Sequence, residues 1–138
     1  MKRKPLTKEE RSGNEDRKQW SSLFMRCFAC GKILPFGTIE RHVHELCRKS
    51  ETKDWRHAAN YVVLCIECHG EAHGGELCRN MLVTCKMLLD PAHFDITWLR
   101  AHTIHRVECD SLPERCDWLL SREAHANRCV GFDERPEF

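Results

Sequence analysis

Leu64-Cys65-Ile66-Glu67-Cys68-His69-Gly70-Glu71-Ala72-His73-Gly74-Gly75 decides how the rest of the chain is read. A compact β-prone run, Tyr61-Val62-Val63-Leu64, leads into a C-x-x-C pair, and histidine follows its second cysteine at once. Gly74-Gly75 would stop a helix, so His69 to His73 reads as a short helix. If Cys68 opens that helix, His69 and His73 share one face and can hold a single metal ion. Upstream, Cys27-Phe28-Ala29-Cys30-Gly31 has the form of a second knuckle, with Gly31 supplying the permissive backbone of the turn. Each pair can wrap two thiolates around one side of a tetrahedral ion. Cys27, Cys30, Cys65 and Cys68 together close the shell of a structural zinc. The section between the knuckles has few large apolar side chains, so bound zinc would supply much of its folding free energy.

Between the knuckles, Thr38 to His44 alternates. Ile39, Arg41 and Val43 face one way, and Glu40, His42 and His44 the other. This predicts a short strand with an imidazole-bearing face, from which His44 could reach His69 and His73. Residues 47–57 are charged and irregular. Arg41, Arg48, Lys49, Lys53, Trp55 and Arg56 cluster around this hairpin, either as a solvated loop around one tucked-in Trp or as phosphate contacts. Arg41, Arg48 and Arg56 are the candidates for nucleic-acid binding.

The chain has 138 residues, enough for one domain with an appendage. Lys and Arg total 22 against 21 Asp and Glu, a net charge of only +1, so any nucleic-acid contact must come from a local patch. Ten cysteines imply either a disulfide framework or metal. The polar N-terminus, Met1-Lys2-Arg3-Lys4-Pro5, has no apolar stretch that would make a secretory signal. Nor does the chain hold an apolar run near the ~18 residues that span a bilayer. The expectation is a soluble cytoplasmic protein, bacterial or phage-like, with reduced thiols and no membrane partner. Residues 1–19 carry seven basic against four acidic side chains and little beyond Leu6 to bury, so they read as a flexible polar tail. Trp20, Leu23 and Phe24 mark the start of packed structure.

Residues 76–138 read as a helical extension packed on the 20–75 module. Leu77, Cys78, Met81, Leu82, Cys85, Leu88 and Leu89 form an apolar stripe closed by Asp90-Pro91. Asp95 could cap a second helix with Ile96, Leu99 and Ile104. Ser111-Leu112-Pro113-Glu114 has the S-x-x-E form of a capping box, before a third helix with Cys116, Leu119, Leu120 and Ala124. Cys47, Cys78, Cys85, Cys109, Cys116 and Cys129 have no paired spacing and read as core or incidental thiols. His57, His93, His102, His105 and His125 share no geometry, and His102/His105 reads as a surface pair.

Taken together, C-x-x-C, then Val43-His44-Glu45-Leu46, then N-x8-H-x3-H over Asn60, His69 and His73, with the second C-x-x-C abutting His69, resembles the zinc-containing branch of the HNH endonuclease superfamily. The resemblance covers roughly the middle third of the chain. It implies an α+β fold: a small treble-clef ββα-metal module, here residues 20–75, with the helical extension after it. It also implies a metal-dependent endonuclease that hydrolyses phosphodiester bonds in DNA. His44, His69 and His73 would hold a catalytic divalent ion (Mg2+, Mn2+, Ni2+ or Zn2+), and Asn60 would hold the loop between the strands. The family's general base usually follows the first ligand and is a second His. Here Glu45 stands at that position, and it is a weaker base than imidazole unless burial raises its pKa. His42, on the same strand face as His44, is the other candidate. A further register makes His44 the base but leaves Val43, which cannot ligate, in the ligand slot. Two other functions stay open: a catalytically inactive zinc module that binds DNA or a protein, and a redox dithiol protein, against which the two knuckle pairs argue.

Overall fold

A computed structural model describes residues 5, 7–103, 105–121 and 124. The fold is mixed α+β, with one small sheet. Strand β1 (His42–Glu45) pairs antiparallel with β2 (Tyr61–Leu64), with His42 opposite Leu64, His44 opposite Val62 and Glu45 opposite Tyr61. All four β2 residues are buried, so this β-prone run is covered on both faces, whereas β1 is only half-buried. Pairing begins later than the alternation over Thr38–His44 predicts. Residues before His42 form turns, and Ile39 is 83% exposed, so the period of two had no partner strand to satisfy it there.

Helix α2 (Ile66–Gly74) starts earlier than His69, because the Cys65 thiol caps it by accepting from the Cys68 N–H at 3.4 Å. Gly75, at φ 89°, ends it in the left-handed region. The upstream knuckle is closed by Cys27 N–H to the Lys32 carbonyl (2.8 Å) and Gly31 N–H to the Cys27 carbonyl (3.0 Å).

The largest departure lies at the N-terminus. Helix α1 (Lys8–Ser21) occupies most of the stretch expected as a flexible tail. It has no apolar stripe and is held by specific contacts. Gly13 lies against Trp55 and Arg56, Arg17 pairs with Glu45, and Trp20 is buried at the far end. Trp20, Phe24, Phe28 and Tyr61 form an aromatic cluster with neighbouring ring centroids 5.0–5.7 Å apart. Their burial supplies the apolar free energy that the polar helix lacks.

Helix α3 (Arg79–Leu89) buries Leu82, Val83, Cys85 and Leu89, with Leu77 buried just before it. Leu88, expected on the apolar stripe, is 42% exposed, and Lys86 is fully buried. Its ammonium donates to Asp90 (2.7 Å) and to the Ala58 carbonyl (2.7 Å), and sits 4.3 Å from the Trp20 ring centroid. Asp90 also accepts from the Trp20 indole (2.9 Å), and His93 Nδ1 lies 2.8 Å from it. Burial pushes the Lys86 ammonium down to about 8 against the pull of Asp90. This buried pair ties α3 to α1 and to the turn before β2. Asp95 caps helix α4 (Ile96–Ala101) by accepting from Trp98 N–H at 3.0 Å.

The third predicted α-helix is instead a 3-10 segment, Glu114–Leu120. Pro113 stands at its N-cap, and no side chain caps it. Three residues per turn put Cys116 and Leu119 on one buried face and leave Leu120 81% exposed. Leu6, Ile104, His125 and Cys129 lie outside the described residues. Among the described residues, no helix is long and apolar enough to cross a membrane.

Trp118 docks this 3-10 segment on the first knuckle, its indole N–H reaching the Ala29 carbonyl at 3.2 Å. Gly31 meets two demands there. Its φ is +80°, and a Cβ would stand 2.7 Å from the Trp118 ring. Gly31→Ala should therefore lower unfolding free energy by about 2 kcal/mol or more in urea titration, with Trp118 fluorescence changing in the native baseline. An unchanged midpoint would show that the knuckle does not need the glycine.

Candidate metal centres

Cys27 and Cys30 come from the first knuckle, Cys65 from the end of β2, and Cys68 from the first turn of α2. One sulfur from each meets the others with all separations within 4.8 Å, so the four could hold a metal ion. The Cys30 and Cys65 sulfurs are 3.8 Å apart. Thiolates about 2.3 Å from a tetrahedral ion are about 3.8 Å from one another, so this spacing fits. Cys27, Cys65 and Cys68 are buried, and Cys30 is half-buried. Hydrogen bonds from the Cys27 and Cys68 thiols hold the Cys30 sulfur far below the usual thiol range. Their partners push Cys27 up to about 12 and Cys68 higher still. A bound cation would let the four sulfurs ionise together.

The second group lies on the outer face of the hairpin. His69 and His73, one turn apart on α2, point their Nε2 atoms at each other across 3.1 Å. The His44 ring stands 5.3 Å from each, edge to face. One ring nitrogen from each of the three falls within 4.8 Å of the others. Imidazole nitrogens bound at about 2.0–2.1 Å lie about 2.9–3.4 Å apart, so the His69–His73 spacing also fits one ion. Burial first, then His69 and His73, lower His44 to about 3. Burial, then His73 and His42, lower His69 to about 4. Both are neutral near pH 7, which is the form that ligates.

His42 is the fourth imidazole of this face, its ring 4.7 Å from that of His69. Its Nε2 is buried and has no hydrogen-bond partner among the described residues. Glu45 follows His44 on β1, so strand alternation turns it away from His42 and His44. Its carboxylate accepts from Arg17 of α1 at 2.5 Å.

Asn60 is fully buried in the 3-10 turn (Ala58–Asn60) that opens β2. Its side chain accepts from Cys47 N–H (2.6 Å) and donates to the Cys47 (3.0 Å) and Trp55 (3.1 Å) carbonyls. It thus bridges both ends of the loop between the strands and stands outside the histidine group.

The candidate phosphate contacts separate. Arg41 is a structural clamp, donating to the Ser21 hydroxyl (3.0 Å), to the Leu34 carbonyl (3.2 Å) and to the Ser21 and Phe24 carbonyls. Arg56 lies against Gly13 of α1. Arg48 is exposed at the mouth of a cleft beside His44. Sequence reasoning missed Arg17 and Arg79, since no spacing marks an isolated arginine as a partner of a distant residue. Comparison with protein-family models, with curated proteins and with solved structures returned no match. The functional reading therefore rests on the residues and their geometry.

Asn60→Ala removes one acceptor and two donors from buried backbone groups. It should cost about 2–4 kcal/mol in urea unfolding. Asn60→Asp should fail to restore the two donated bonds. A cost below ~1 kcal/mol for Asn60→Ala would show that the loop is held by other means.

Proposed function

We propose that this chain is a metal-dependent endonuclease of the HNH type that hydrolyses phosphodiester bonds in DNA. In this reading the hairpin and α2 form a treble-clef ββα-metal module. Cys27, Cys30, Cys65 and Cys68 bind a structural zinc, and His44, His69 and His73 bind a catalytic divalent ion. The observation that carries the reading is the histidine group itself. A structural zinc module needs only its four cysteines, and a second set of three converging imidazoles is surplus to it.

A divalent ion bound there would supply Lewis-acid charge to a non-bridging phosphate oxygen and to the leaving 3′ oxygen. The chain's own residues position and deprotonate. Asn60 fixes the loop between the strands, and with it the end of β1 that carries His44. Glu45 is the base that its place after His44 suggests, but its carboxylate is already engaged by Arg17. His42 is the better fit, because its ring stands beside His69, and its buried, unpartnered Nε2 would have to be uncovered to meet the attacking water. As His42 takes the proton from water, the water oxygen bonds to phosphorus and the P–O3′ bond breaks. The products are a 5′ phosphate and a 3′ hydroxyl, protonated from solvent.

Two outcomes are expected. The protein purified at neutral pH should carry one tightly held zinc per chain, kept in His69→Ala/His73→Ala and lost in Cys30→Ser/Cys65→Ser, measured by elemental analysis. Zinc retained without those cysteines would remove the structural site.

Plasmid nicking with added Mg2+, Mn2+ or Ni2+ should vanish in His73→Ala. It should fall about a hundred- to ten-thousand-fold in His42→Ala, and much less in Glu45→Gln. The opposite ordering would give the base role to Glu45. Absence of cleavage by the parent protein across metals and pH would leave a zinc-binding module without catalysis.

A further inference from the structure

The cleft beside His44 joins the hairpin module to the segment that follows it. It has a volume of about 290 Å3. One wall comes from the module, with His44 and Arg48. The facing wall comes from Arg79 and Asn80 at the start of α3 and from His105 and Arg106 beyond α4. His44 is also a member of the histidine group, so the cleft opens onto the candidate metal.

The charges along it are arranged for an anion. Glu45 is the acid that lines it, and Arg17 engages its carboxylate, while Glu51 and Glu108, outside the lining, pair with Arg79 and Arg106. Arg48 makes no ion pair among the described residues. Arg79 is held in place by Glu51 (2.7 Å) and the Thr103 hydroxyl (2.7 Å), and Thr103 in turn donates to Glu51 (2.8 Å). A guanidinium carries five N–H donors. Two are spent on this anchoring, which fixes the orientation of a side chain that is still 21% exposed. Arg106 is tied only to Glu108 by an exposed pair, which another anion can displace at little cost.

We propose that this cleft binds the sugar-phosphate backbone of the DNA strand on one side of the scissile bond. Arg48 and Arg106 make the phosphate contacts, and Arg79 is the pre-oriented donor between them. The inference rests on the nuclease reading for its ligand, and it gives the segment from α3 to Arg106 a role in substrate binding beyond packing. The whole-chain charge of +1 is no obstacle, because Arg48, Arg79 and Arg106 line one cleft.

The test is binding, measured apart from cleavage. A fluorescein-labelled duplex of about 20 base pairs is titrated with the full-length protein, without added divalent ion, and anisotropy is read at several salt concentrations. Arg48→Ala/Arg106→Ala should weaken binding at least tenfold and lower the slope of log K against log salt by about two. Lys8→Ala, an exposed charge outside the cleft, should change neither by more than about twofold. Both arginines are exposed, so the thermal midpoint should match the parent's. A double variant that keeps the parent's affinity and slope overturns the inference, even if the parent nicks plasmid. A parent that does not bind the duplex overturns it as well. Binding that depends on Arg48 and Arg106 in a protein that cleaves nothing supports the cleft and removes the nuclease.

Discussion

Four sulfur atoms must share one small, largely buried space, and the rest of the module is arranged around that requirement. Cys27 and Cys30 arrive on a tight knuckle, and Cys65 and Cys68 on the junction between β2 and α2. Thiols this close cannot all ionise unless a cation joins them. The same junction fixes α2. The Cys65 sulfur caps the helix, and the Cys65 carbonyl accepts the His69 N–H at 2.9 Å. The direction in which His69 and His73 point is therefore set one residue away from the cysteine cluster. The placement of the histidines depends on order at the cysteines.

The flanking segments close this small module on both sides. Trp118 rests on the first knuckle, where only glycine fits at position 31. Lys86 enters from α3 with its charge paired to Asp90 and its third contact on the Ala58 carbonyl, two residues before Asn60. Removing one partner of such a buried pair leaves an uncompensated charge, typically at a cost of about 3–5 kcal/mol. The turn that presents Asn60 is thus braced from the C-terminal side. Arg17 and Gly13 of α1 brace the hairpin from the other side.

What could be read from the sequence followed from the range of each interaction. The cysteine and histidine spacings report local geometry, a knuckle and one helical turn, and the residues they single out meet in two groups. β2 was legible because a four-residue β-prone run between turn signals has few alternatives. Asp95 was legible as a cap for the same local reason. Helix α1 was not, because its stability comes from contacts made far along the chain, Trp55 and Glu45, and not from a stripe of its own. Lys86 broke the apolar pattern of α3 since its partners, Trp20 and Ala58, are distant in sequence. The S-x-x-E pattern at Ser111 failed because Pro113 took the cap position and the segment wound as a 3-10 helix. Family position favours Glu45 over His42 as the base, and the contact of Glu45 with Arg17, 28 residues away, was not legible from any local spacing.

The four cysteines and the three histidines could form two chemically different metal sites side by side. X-ray absorption at the zinc edge, on protein loaded first with one and then with two equivalents of zinc, addresses it directly. The first equivalent should show a shell of four sulfurs near 2.3 Å, and the second should add a nitrogen shell at about 2.0–2.1 Å without disturbing the sulfurs. A first equivalent with mixed sulfur and nitrogen ligands, or a second that finds no imidazole shell, would contradict the account.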